Sequence, residues 1–164
     1  MHECENLIQL VAEQADVLRR RSVIFGRMAA GIKEGDVDKM REACREMEEL
    51  DEEHARLPRE VVQQVRQVCD RYGVPEESTG LGGLVEAVDG DVESRLAAVR
   101  QDLAGALALA REAAERVQRL ASVASDWNAH ILGAVWASVP GGQTYSPTGE
   151  MESPEGAILQ GEWG

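Results

Sequence analysis

The sequence predicts an all-α fold, an elongated antiparallel helical bundle or coiled coil, and three observations predict it. Apolar residues recur at alternating spacings of four and three, which is the pattern of helices that pack against other helices. Glycine and proline fall mainly in short segments that separate these stretches. The chain has 164 residues, 43% of them hydrophobic, enough to bury the core of one domain. We expect a bundle domain over residues 1–140 and a flexible acidic tail over residues 141–164.

The first two helices are predicted to form a hairpin. The first helix covers residues 4–33, and Gly35 followed by Asp36 supplies a helix stop and then an N-cap. So short a connection between two long helices permits only an antiparallel hairpin. The residues at spacings of four and three that are expected to face a partner helix form the seam of a helix. In the first helix the seam consists of Val11, Ala15, Leu18, Ser22, Phe25, Ala29 and Ile32.

The second helix is predicted over residues 36–72, with a kink or short break near Leu57. Pro58 has no backbone donor and crowds the preceding turn, which is why the helix is expected to bend there. The acidic run at residues 46–53 is interpreted as a solvated face. Its apolar stripe consists of Val37, Met40, Cys44 and Met47, then Val61, Val65, Val68 and Tyr72.

A short third helix and a long last helix complete the bundle. The third is predicted over residues 81–88, with Ser78 or Thr79 as its N-cap, and the turn at residues 89–91 starts the last helix. The last helix keeps its 4-3 alternation over roughly six heptads, which predicts a left-handed supercoil. Its seam consists of Val92, Leu96, Val99, Leu103, Ala106, Ala110, Ala113, Val117, Leu120, Ala124, Trp127 and Ile131.

Helix length gives the first functional expectation. At about 1.5 Å per residue the first, second and last helices are roughly 45, 55 and 70 Å long, so the last helix is expected to extend past the hairpin. Its final turns include Trp127 and Trp136. No aspartate, glutamate, lysine or arginine occurs from Trp127 to Gly149. Such an apolar surface is expected to contact another protein or a second copy, unless the first helix or a folded-back tail covers it.

Charge and cysteine content exclude several classes of function. The formal net charge of −13 argues against binding to nucleic acid or to anionic lipid. There is no run of about 18 apolar residues that could span a membrane and no basic segment typical of a secretory signal. Three cysteines at wide spacing fit a reducing compartment, so we expect a cytoplasmic protein.

The sequence offers little support for catalysis. The run from Asp51 to His54 is the nearest match to a di-iron Glu-x-x-His motif and has no second copy, while Asp126 and His130 lack a third ligand. Cys44 and Cys69 are expected to be small core residues rather than reactive thiols. We therefore expect no enzyme, no metal and no cofactor. A metal-dependent bundle enzyme stays as a minor alternative.

Short motifs in a fixed order carry a resemblance to a known family. Residues 72–77 with Thr79 and Leu81-Gly82-Gly83-Leu84 are similar to a "Gly-Leu … Thr-Leu-x-x-Leu" junction before a last long helix. The other motifs are Gly35-Asp36 as a hairpin turn, Asn128 with Ile131-Leu132 as an amphipathic turn, and Thr144 to Gly149 as a "Tyr-Gly-x-x-Gly" tail with Ser146 in place of the first Gly. Over residues 4–150 the chain therefore resembles the FlgN-type flagellar type III secretion chaperones.

The resemblance implies a bacterial cytoplasmic export chaperone without nucleic-acid binding or membrane insertion. Such proteins hold the C-terminal amphipathic helix of hook–filament junction proteins (FlgK and FlgL type) and deliver it to the export gate, the cytoplasmic domain of an FlhA-type protein. Carried over by position, the client-binding residues are Trp127, Asn128, Ile131, Leu132 and Val135. Tyr145, with Gly149 providing the turn, is the implied gate-docking element. The alternative is a structural coiled-coil adaptor whose last helix forms a permanent homodimer.

Overall fold

The structure is a computed structural model that describes residues 2–138, 144–145 and 151–152, and it confirms the all-α class. The described helices are α1 (His2–Glu34), α2 (Val37–Glu53), α3 (Leu57–Arg71), α4 (Leu81–Ala87) and α5 (Asp91–Ser138), with one 3-10 turn at Glu76–Ser78. Two short strands, β1 (Thr144–Tyr145) and β2 (Met151–Glu152), pair in an antiparallel manner. The rest of the predicted acidic tail lies outside the described residues. None of the described helices is both long and apolar enough to cross a membrane.

The chain divides into two compact units, and the boundary falls inside α5. The first unit is Met1–Ala121 and the second is Ser122–Gly164. The first unit contains the hairpin, α4 and the beginning of α5, and both clusters of buried side chains belong to it. The second contains the last turns of α5 and the β1–β2 pair.

The predicted hairpin between α1 and α2 is confirmed, and local chemistry explains its sharpness. Gly35 has a φ of +65°, a conformation that L side chains rarely adopt. The Asp36 carboxylate accepts a hydrogen bond from the Lys39 amide at 2.9 Å, as expected of an N-cap. A methyl group at Gly31 would lie 2.8 Å from the Met40 side chain, so only glycine lets the two helices approach this closely.

The second predicted helix is interrupted where Pro58 predicts it. His54 ends α2, and α3 begins at Leu57 with the proline in its first turn, where a missing amide donor does no harm. Ion pairs show that α2 and α3 follow one another along α1, both antiparallel to it. These pairs are Arg27–Glu46, Arg21–Asp51 and Arg71–Glu3, each with a nitrogen–oxygen distance of 2.6 Å. The acidic run, expected to be a solvated face, is thus also an edge that meets the arginines of α1.

The connection from α3 to α4 corrects one expectation. Gly80, not Ser78 or Thr79, is the N-cap of α4, and the Thr79 hydroxyl instead donates to the carbonyl of Pro75 at 3.4 Å. A methyl group at Gly83 would lie 2.2 Å from the carbonyl oxygen of Ser78, so α4 packs directly on the preceding backbone.

Helix α1 contributes to two separate clusters of buried side chains. The larger one joins α1 with α2, α3, α4 and the start of α5, and its most buried members include Leu7, Leu50, Leu84 and Leu96. The smaller one joins α1 to α5 through Ala15, Leu18, Ala106 and Ala110. Because α1 has neighbours on two sides, Val17 and Ile24 are buried although they lie outside the predicted seam. Cys69 is buried as expected, but Cys44 is exposed, so its assignment to the core was wrong.

Helices α1 and α5 run parallel to each other within the first unit. Arg95 of α5 pairs with Glu5 of α1 at 2.6 Å, and further along both helices Asp102 pairs with Arg19. The guanidinium of Arg95 donates two hydrogen bonds to Glu5 and thereby lowers the pKa of that carboxyl group. This arrangement places α5 antiparallel to α2 and α3, as an up–down–up bundle requires.

Candidate protein-binding surface

The apolar residues of α5 that recur at spacings of four and three are buried in the first part of the helix and exposed near its end. In the first unit the seam is buried at Leu96, Ala106 and Ala110 and half-buried as far as Leu120. In the second unit Ala124 is half-buried, but the Trp127 side chain is 67% exposed. Ile131 continues the same seam and is also exposed. An apolar seam of this kind normally faces another helix.

We call the exposed end of this seam the terminal face. It consists of the five client-binding residues named from the family resemblance, which are Trp127, Asn128, Ile131, Leu132 and Val135. Trp127, Ile131 and Val135 are separated by four residues each and therefore follow one side of the helix. Leu132 and Asn128 flank them, so that the five side chains occupy an arc of about 140° at 100° per residue. All five are exposed.

The chemistry of the terminal face is almost entirely apolar. Between Trp127 and Ser138 the helix has no aspartate, glutamate, lysine or arginine, in a protein whose net charge is −13. Large exposed apolar patches mark protein–protein contacts, and tryptophan is among the most frequent interface anchors. The Asn128 amide adds one donor and one acceptor group that can fix the register of a bound helix.

Only part of the predicted gate-docking element falls within the described residues. Tyr145 lies in β1, where its backbone is opposite Met151 of β2. Gly149 lies outside the described residues. The docking role of Tyr145 therefore stays a prediction.

Sequence reasoning missed two features of the first unit. A groove of about 810 Å³ runs beside α3 and the following loop; it is floored by Val61, Val65 and Val74 and edged by Arg66 and Asp70. The valines of α3 indicate an apolar surface, but charged residues lie between them in the sequence, so no groove was predicted.

The second missed feature is a pair of exposed leucines on α5, Leu107 and Leu109, beside the α1–α5 contact. They lie next to the seam rather than on it, so the heptad pattern assigned them no role.

Many charged side chains of the described residues form ion pairs, such as Arg19 with Asp16 and Arg41 with Asp38. No three histidine, cysteine, aspartate or glutamate side chains come together there as metal ligands would. The buried Cys4 sulfur and the Tyr72 hydroxyl are hydrogen-bonded at 3.5 Å, and this hydrogen bond raises the pKa of Tyr72 because it favours the protonated phenol. Asp126 and His130, the candidate pair on the last helix, are both exposed.

Fold and surface together define a helical-bundle protein whose last helix carries exposed apolar side chains, Trp127 and Ile131 among them. Comparison with protein-family models, with curated proteins and with solved structures finds no match for this chain.

Proposed function

We propose that this protein is a bacterial cytoplasmic export chaperone of the FlgN type, without enzymatic activity. It binds the C-terminal amphipathic helix of a hook–filament junction protein (FlgK or FlgL type), keeps that client unassembled, and delivers it to an FlhA-type export gate. The observation that carries the proposal is the exposure of two seam residues of α5 in the terminal face, Trp127 at 67% and Ile131 at 45%.

The spacing of the terminal face suits a helical client. An amphipathic helix binds a groove through anchors one turn apart, and Trp127, Ile131 and Val135 provide that spacing. Burying an Ile- or Leu-sized side chain is worth about 1.5–3 kcal/mol, so three anchors contribute roughly 4.5–9 kcal/mol before the entropic cost of association is subtracted. The absence of charge on this surface favours the apolar side of the client helix.

A permanent coiled-coil dimer is the alternative function, because a second copy could also cover the seam. Light scattering with and without a synthetic client-helix peptide separates the two. The chaperone forms a one-to-one complex and gains helicity with the peptide. A dimer of unchanged mass that ignores the peptide supports the adaptor.

Two leucines on α5 allow a matched test of the surface. Leu132 lies in the terminal face and is 57% exposed, whereas Leu109 lies outside it and is 55% exposed. We expect Leu132→Ala and Trp127→Ala to weaken peptide binding by about 1–4 kcal/mol in calorimetric titrations, and Leu109→Ala to leave it unchanged. Equal affinities for the two leucine variants would exclude the terminal face as the client site.

The export-gate step has its own test. Tyr145→Ala is expected to retain client binding and to lose binding to the purified cytoplasmic domain of an FlhA-type gate. Unchanged gate binding would remove Tyr145 from the docking element.

A further inference from the structure

The exposed side of α3 carries basic side chains toward its beginning and acidic ones at its end. Arg59 and Arg66 come first along the helix, Asp70 lies in its last turn, and Glu76 belongs to the 3-10 turn that follows. All four line the groove beside α3 or the hollow next to it. We propose that this surface binds a second copy of the chain, with the two α3 helices antiparallel about a twofold axis. The proposal goes beyond the chaperone function and does not depend on it.

Helix α3 has a second row of apolar residues beside the row that is buried in the core. Val61 and Val68 are buried, whereas Val65 is half-buried, Val62 is 52% exposed and Pro58 is exposed. Pro58, Val62 and Val65 are separated by four and then three residues, which is the spacing of a helix that packs against another helix. Val62 lines both the groove of about 810 Å³ and the neighbouring hollow of about 550 Å³. This exposed row therefore suits a helical partner.

The charged side chains of α3 lie along one flank of this exposed row. Arg59 and Asp70 are eleven residues apart, close to three helical turns, so they follow one line along the helix and are separated by roughly 16 Å. Arg66 lies between them, within about 40° of the same line at about 100° per residue. Within the described part of the chain these three side chains form no ion pair, so their charges can interact with a partner.

The loop after α3 adds a second acidic group at the end of the helix. The Val74 amide donates to the Cys69 carbonyl at 3.0 Å, and the Cys69 thiol donates to the Gly80 carbonyl at 3.7 Å. Both ends of this loop are therefore attached to the last turns of α3. Glu76 lies between the two attachments and lines the groove together with Asp70.

An antiparallel pair with twofold symmetry matches these charges. In such a pair the same surface of both copies meets, and the beginning of one α3 lies beside the end of the other. The basic part of each copy then faces the acidic part of its partner, whereas a parallel pair would bring like charges together. Residues 56–67 contain three arginines and one glutamate, so this surface also lacks the excess negative charge that opposes self-association elsewhere on a chain of net charge −13.

Charge reversal in the full chain tests the pairing. Arg59→Glu with Arg66→Glu makes the surface acidic throughout, and Asp70→Arg with Glu76→Arg makes it basic throughout. In sedimentation equilibrium we expect the parent to dimerise reversibly as its concentration rises toward about 1 mM, and each variant alone to dimerise at least tenfold more weakly. An equimolar mixture of the two variants is expected to dimerise at least as tightly as the parent, because opposite charges meet again. The basic variant is less negative overall than the parent, so its weaker dimer cannot result from net charge.

Two valines provide a matched control for the apolar row. Val62 is 52% exposed on α3, and Val23 is 61% exposed on α1 and does not line the groove or the hollow. We expect Val62→Ser to weaken the dimer at least fivefold and Val23→Ser to leave it unchanged, with the helical circular dichroism of every variant equal to that of the parent.

Four results would overturn the proposal. They are a parent that stays monomeric up to about 1 mM, a dimer that both charge reversals leave unchanged, a mixture no tighter than the separate variants, and equal effects of the two valine substitutions. An unchanged dimer in the second case would place the contact on another surface, such as the terminal face. Because no client peptide is present, these results do not depend on the proposed function.

Discussion

The same substitution should destabilise the protein to very different extents at two leucines of α5. Leu96 is fully buried in the core of the first unit, whereas Leu132 is 57% exposed in the terminal face. Truncation of a fully buried leucine to alanine removes its packing and leaves a cavity, which costs about 2.7–5 kcal/mol. Truncation of an exposed leucine on a helix changes stability by about 0.5 kcal/mol or less, and the high helix propensity of alanine offsets part of that.

The assay is thermal and urea unfolding followed by helical circular dichroism. For a chain of this size, 1 kcal/mol corresponds to about 2–4 °C, so Leu96→Ala is expected to lower the melting temperature by roughly 5–20 °C. Leu132→Ala should lie within about 2 °C of the parent by the same conversion. A Leu132→Ala variant as unstable as Leu96→Ala would refute the reasoning, since it would make the terminal face part of the core.

Two further predictions concern glycine packing and pH. Gly83→Ala places a methyl group against the Ser78 carbonyl and is expected to destabilise the bundle by about 1–3 kcal/mol in urea unfolding. A methyl group at Gly105 meets no atom within 4 Å, so Gly105→Ala is expected to stabilise α5 by about 0.5–1 kcal/mol. A Gly83→Ala variant more stable than the Gly105→Ala variant would contradict the packing of α4. The pKa of Glu5 lies below its usual 4.5 because Arg95 donates to the carboxylate, so its stabilisation is present above that pH and is lost as pH falls through the lowered value. Glu5→Gln should therefore melt below the parent at pH 7, and the difference should shrink as pH falls below 4.5; a difference that stays constant with pH would rule out this linkage.

The helix ends were predictable because local residues determine them. Gly35 and Asp36 supply the stop and cap of the hairpin, and Pro58 marks the break between α2 and α3. These signals act over three or four residues, so a single sequence contains all the information they need. The N-cap of α4 was missed because Gly80 serves without a side-chain hydrogen bond, which leaves no polar signature.

Burial was predictable where a helix carries one clear apolar stripe. Along α5 the seam was confirmed from Leu96 to Ala110, since a single stripe packs there. On α2 the buried residues are Ala43 and Leu50, one step away from the expected stripe that included Cys44. Apolar residues are sparse on α2, and Met47 fits both the stripe through Cys44 and the stripe through Ala43. The helical spacing of apolar residues therefore could not show which stripe is buried.

The direction of α5 relative to α1 could not be read from the sequence. A seam identifies which residues face a neighbour, but not which helix that neighbour is. The pairs of Glu5 with Arg95 and of Arg19 with Asp102 join residues far apart in the chain, and the structure alone reveals them. The candidate site was easier to predict from the sequence, because it is a continuous stretch of α5 with apolar residues and no charged ones.

The central claim is that the last turns of α5 receive a helix from another protein. Hydrogen–deuterium exchange of the full chain, with and without the client-helix peptide, tests it most directly. The account predicts that peptide binding slows exchange of amides in residues 122–138 and leaves α3 and α4 unchanged. Protection confined to the groove beside α3, with residues 122–138 unaffected by a bound peptide, would contradict it.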